Sequence, residues 1–165
     1  MMDGFTPWPE SYKEEYLKKG YWRGKPLAAI IENAAARWPK RTAVTYNGEQ
    51  ITYEQLLRKV NRLALHLAKL GHRPLDRLIL QMPNCPETLY LYFAAVKIGA
   101  IPIMALAAHR LAEISFFAEF AAVKTYCIPG VFGKFDYPAL AAEVRTKAPS
   151  LRHVKIGRAS CRERV

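Results

Sequence analysis

At 165 residues, 51% of them apolar and 12% aromatic, the chain is long enough to bury a core and too apolar for intrinsic disorder. Its formal charge of +11 raises a nucleic acid or an anionic membrane as partner, but the cations are scattered and interleaved with carboxylates, the pattern of a solvated surface, so neither partner is expected. No apolar run approaches the roughly 20 residues that span a bilayer, no secretory leader pattern opens the chain, and Cys85, Cys127 and Cys161 match no zinc or CxxC spacing. A reducing cytoplasm is the expected location.

The first 25 residues are rich in aromatics and turn formers, and read as an ordered arm wrapping a body, with a short helix near Glu10–Lys19. A second helix is bracketed by Pro26 and Pro39, with Leu27, Ile30, Ile31, Ala34 and Trp38 as its expected apolar face. Residues 42–46 and 50–53 are β-prone, and Asn47-Gly48 between them is a hairpin turn signal. Thr52 with Gln55 three positions on forms a capping-box pattern. Leu56, Val60, Leu63, Leu67 and Leu70 then recur on one helical stripe, which Gly71 ends.

"DRLILQM" predicts a buried strand. Asn84, with Glu87 at the third position, predicts the cap of the next helix, apolar nearly all round as far as Gly99. "AIPIMAL", "KTYCIP" and "LRHVKI" predict further strands, separated by helices over "HRLAEISFFAEFAAV" and "DYPALAAEVRTKA". From residue 77 onward strands and helices alternate, which implies a mostly parallel sheet with right-handed helical crossovers and an α/β fold.

Chemistry is sparse. The chain has no GxGxxG after a strand, no GxxxxGK[ST] and no GxSxG. His66 flanks the leucine stripe, and His72 and His153 are expected to be exposed. His109 and Arg110 are the candidates for a substrate cleft, because they follow a strand at the end where α/β sheets bind ligands. The alternative is that His109 merely starts the helix while Arg110 pairs with Glu113 at i, i+3. Cys85 and Cys127 read as small buried apolar groups, and the aromatics Tyr90 to Phe120 as core faces rather than a base-stacking platform.

Several stretches resemble a known family. "GFTPWPESYKEEYLKKGYWRGKPL" (4–27), "ITYEQLLRKVNRLALHLAKLG" (51–71) and "DRLILQMPNCPETLYLYFAAVKIGAIPIMALAAHRLAEISFFAEF" (76–120) are similar to the opening arm and first core motifs of the aryl acid–AMP ligases, the adenylate-forming enzymes of siderophore biosynthesis. "GFTPWP" and "HRLAEI" point to the 2,3-dihydroxybenzoate branch, although Ala107 stands where a Pro or other turn former is expected. The resemblance covers about residues 4–155 and implies the incomplete front part of a large N-terminal domain. It also implies ATP and Mg as cofactors, and an aryl carrier protein as partner, of a longer parent. The phosphate loop, acid pocket and catalytic lysine of the family lie beyond the matched region. The resemblance therefore gives no catalytic, cofactor-binding or metal residue here, and no cofactor is expected to bind this chain well.

Residues 1–155 are expected to be native domain, and "IGRASCRERV" (156–165) a non-native tail, since it reads as an in-frame translation of a common sequencing-library adapter. A natural basic tail is the rival reading. A sheet cut midway leaves apolar faces uncovered; Leu89, Tyr92, Phe93, Phe116 and Phe120 are expected either to face absent partners or to form a reduced core.

Overall fold

The computed structural model describes residues 6–157. Within them lie α1 (Glu10–Lys18), α2 (Ala29–Arg37), β1 (Thr42–Tyr46), β2 (Glu49–Thr52), α3 (Tyr53–Lys69), β3 (Arg77–Leu80), α4 (Pro86–Lys97), β4 (Ile101–Met104), α5 (Leu111–Phe120), β5 (Thr125–Ile128), β6 (Val131–Phe132), β7 (Phe135–Asp136), α6 (Tyr137–Lys147) and β8 (His153–Ile156). Strands β3, β4, β5 and β8 form one parallel sheet in the order β4-β3-β5-β8, each successive pair in the chain joined by a helix. Ile156 pairs with Ile128 at the end of β8, and residues 158–165, with Cys161, lie outside the described residues.

Alternation along the strands divides the sheet into two faces. Ile79, Tyr126 and Ile128 join a core cluster with α5 and α6, through Ile114, Ala118, Leu140, Ala141 and Val144. Leu78, Leu80 and Cys127 point the other way, onto Ala95 and Ala100 at the end of α4. Beyond α4 lies α3, whose Leu56, Val60, Ala64 and Leu67 pack with Tyr90 and Ala94. The expected stripe is thus the buried face of α3. Its capping box is present: Thr52 Oγ1 accepts from the Gln55 N–H at 3.3 Å, and Gln55 Oε1 accepts from the Thr52 N–H at 2.9 Å.

The β1–β2 hairpin turns at Asn47 and Gly48, with φ of 49° and 83°, the left-handed pair that a two-residue turn between twisted strands requires. A second small hairpin, β6–β7, is absent from the sequence reading.

Four expectations need correction. The arm does not bury itself against a body: no residue of α1 is buried, and its aromatics pack on one another, with Tyr16 5.4 Å from Trp22 and 6.4 Å from Trp8. In α2 the buried face is Ala28, Ile31 and Ala35, while Leu27, Ile30 and Trp38 are exposed. Ile31 packs with the buried face of α3, and Trp38 instead carries the Arg37 and Arg41 guanidinium groups over its ring at 4.7 and 5.9 Å. The cap of α4 is Cys85, not Asn84, because Pro86 occupies the first helical position and holds the residue before it extended. Its first turn is tied instead by Thr88, whose hydroxyl donates to the Pro83 carbonyl at 2.6 Å. Finally His72 is buried at 6% exposure, and His153 is half-buried.

Candidate functional site

The C-terminal edge of the parallel sheet is where this topology concentrates polar side chains. β3 ends at Leu80, and the next residue, Gln81, is fully buried in an otherwise apolar layer. A buried amide is costly unless its donors and acceptor are used. Gln81 Nε2 donates to the carbonyls of Leu106 and His109, both at 2.9 Å, and Gln81 Oε1 accepts from the hydroxyl of Tyr126 on β5. Gln81 therefore ties β3, β5 and the β4–α5 loop into one unit. The loop is fixed from the other side by Tyr137, whose hydroxyl donates to the Ala107 carbonyl at 2.9 Å. The missing turn former at Ala107 is thus offset by side-chain bonds to its carbonyl.

His109 and Arg110 stand together in this loop. His109 is half-buried, edge-on to Phe117 at 5.4 Å, and its Nδ1 accepts from the Leu106 N–H at 3.3 Å. That assignment places the proton of the neutral ring on Nε2. The Arg110 guanidinium donates to the Ala107 and His109 carbonyls, each at 2.8 Å, and lies 3.9 Å from the centre of the Phe135 ring. Glu113 meets the Arg110 backbone instead, accepting its N–H at 2.9 Å. That bond and the bonds the carboxylate makes at the helix start hold Glu113 below the usual carboxylate range. Arg110 thus works as a clamp on its own loop, which leaves its charge poorly placed to grip a ligand.

Sequence reasoning missed Gln81, Tyr126 and Tyr137. The signal for the first was present: a lone amide closing the apolar run "RLIL" at a strand end. Burial raises the Tyr126 phenol well above its ordinary value and pushes the Cys127 thiol up to about 12, which fits a purely structural role for both. Cys85 and Cys127 are both buried, as expected.

A parallel sheet with helices between its strands and a braced polar loop at its C-terminal edge defines the class: the N-terminal domain of adenylate-forming enzymes. The chain belongs to the AMP-binding enzyme family, whose profile matches residues 31–163. It is 42% identical over 156 residues to triostin synthetase I of Streptomyces triostinicus, and 38% identical over 154 residues to the 2,3-dihydroxybenzoate-AMP ligase of Bacillus subtilis. Those alignments cover 94% and 93% of this chain, which spans 29% of the length of each relative. The apo structure of MbtA from Mycobacterium smegmatis superposes with a TM-score of 0.86 at 36% identity, over 93% of this chain and 28% of that one.

The loop does not fit a Mg-triphosphate. Its one guanidinium is committed to two carbonyls and a ring, and among the described residues no group of three or more His, Cys, Asp or Glu could hold a metal ion.

Proposed function

We propose that the protein to which this segment belongs activates 2,3-dihydroxybenzoate. A carboxylate oxygen attacks the α-phosphorus of Mg-ATP, the bond to pyrophosphate breaks, and an aryl adenylate forms. The thiol sulfur of a carrier-protein phosphopantetheine then attacks the acyl carbon, and AMP leaves with the bonding pair. The setting is cytoplasmic siderophore biosynthesis.

The observation that carries this reading is the 38% identity to a 2,3-dihydroxybenzoate-AMP ligase across 93% of the chain, arm included. The segment's own contribution is scaffold: the sheet and the Gln81-braced loop set one wall of the C-terminal edge, with His109 Nε2 as the donor that could reach a bound acid. By itself this stretch performs no adenylation.

The test is mass spectrometry of the protein mixed with ATP, Mg and one acid at a time. An adduct of AMP with 2,3-dihydroxybenzoate, and a matching mass gain on an added aryl carrier protein, are expected. An adenylate formed only with a fatty acid would sink the aryl assignment and favour a ligase for another acid.

A further inference from the structure

The opposite edge of the sheet carries a feature that the adenylation reading does not use. Between the turn after α3, the residue before β5 and the α6–β8 loop opens a cleft of about 610 Å³, lined among others by Arg73, Asp76, Lys124, Ser150, Arg152 and His153. Its one carboxylate is already committed. Asp76 Oδ2 accepts from the Arg73 N–H at 2.7 Å and from Lys124 Nζ at 2.8 Å. Burial alone would raise the Asp76 carboxyl, but the Lys124 and Arg73 bonds and the Lys124 charge together hold it below its ordinary value. Lys124 Nζ also donates to the Gly71 carbonyl at 2.6 Å, which fixes the ammonium at the floor.

The guanidinium groups of Arg73 and Arg152 enter no ion pair among the described residues, and both are exposed. Behind them His72 is sealed: its side chain is 0% exposed, and its Nε2 shares a hydrogen with Thr125 Oγ1 at 2.7 Å. Its Nδ1 has no hydrogen-bond partner and lies 3.9 Å from Asp76 Oδ2. The His72 and His153 rings are 6.4 Å apart. The cleft therefore has a rigid polar floor and an excess of cations at its mouth. A concave wall concentrates such a field, and two forked guanidinium groups match the oxygens of a phosphoryl group.

We propose that this cleft binds the phosphate group of a small anionic ligand through Arg73, Arg152 and His153, with the Ser150 hydroxyl as a neutral donor and the Lys124–Asp76 pair as its fixed floor. The site does not depend on the adenylation reading. Bound phosphate offsets the positive field of Lys124 at the floor, one of the causes, after burial, that hold the His72 imidazole below its ordinary value.

The 165-residue chain, labelled at its histidine rings and first shown to be folded by a cooperative urea transition, is titrated with inorganic phosphate and, separately, with glycerol phosphate, at ionic strength fixed by chloride. Saturable movement of the His153 and His72 ring signals is expected, with His66 and His109 still. Tighter binding of the ester assigns a phosphomonoester, and tighter binding of phosphate the free anion. Arg152→Ala and Arg73→Gln change exposed side chains, and each should weaken binding about tenfold, the loss of one charge-assisted contact. Arg62→Ala on α3 should leave it unchanged. No saturable movement, equal movement of all four histidines, or indifference to Arg152→Ala overturns the site.

Discussion

Replacing Gln81 by Leu removes the amide that joins β3, β5 and the β4–α5 loop while keeping similar bulk. Two donated bonds to carbonyls disappear, and the Tyr126 hydroxyl, on a fully buried residue, loses its acceptor. The carbonyls are spared the worst, because the Leu106 oxygen keeps the His109 N–H at 3.1 Å and the His109 oxygen keeps Arg110. Each of the two lost bonds contributes about 0.5–1.5 kcal/mol, and an orphaned buried hydroxyl costs about 1–3 kcal/mol, giving roughly 2–6 kcal/mol in all. Against a typical domain stability of about 5–15 kcal/mol, that is a large fraction. Tyr126→Phe should cost roughly 1–3 kcal/mol by stranding the Gln81 oxygen. The double variant should cost less than the sum of the singles, since each removes the group that the other strands. Urea unfolding of the four proteins measures the cycle. A Gln81→Leu cost under about 1 kcal/mol, or additivity within about 0.5 kcal/mol, would refute the latch.

Three further outcomes follow from the same structure. Burial first, then the nearby Lys124 charge, lowers the His72 pKa from its ordinary 6.5, so the folded state resists the proton that the unfolded chain accepts. Stability from this group is complete above about pH 6.5 and falls as pH drops toward the lowered value; urea midpoints at pH 7.5 and 5.5 should show the loss, and His72→Gln should flatten it. Gly99 has φ of +76°, and a Cβ there would sit 3.1 Å from Pro74 Cβ, so Gly99→Ala should lower stability by about 1–2 kcal/mol in the same assay, whereas a neutral result contradicts the strain. Phe116 and Phe120, 60% and 82% exposed, stack on each other at 5.5 Å; Phe116→Ser with Phe120→Ser should raise soluble yield and change the melting curve little, and a large stability loss would place them in a core.

Local signals were the legible ones. The Thr52–Gln55 cap, the Asn47-Gly48 turn and the α3 stripe each act through neighbours three or four residues apart, and each stands in the structure as read. Strand–helix alternation from residue 77 gave the parallel sheet, but not the order β4-β3-β5-β8, which depends on contacts between distant segments. Leu89, Phe116 and Phe120 are exposed, while Tyr92 and Phe93 are half-buried against the sheet and α3. His72 was misjudged because the glycine stop at Gly71 suggests surface, whereas its ring reaches Thr125, 53 residues away. At the candidate site His109 and Arg110 were expected from position alone, whereas the bracing partners Gln81 and Tyr137 were not, since only folding brings those side chains to the loop.

The central claim is that this segment belongs to an aryl acid–AMP ligase. ATP–pyrophosphate exchange tests it most directly, measured on the protein read from source DNA through and beyond codon 155. The account predicts exchange that depends on 2,3-dihydroxybenzoate and is absent for residues 1–155 alone. Exchange that ignores aromatic acids, or none with any carboxylate, would contradict it.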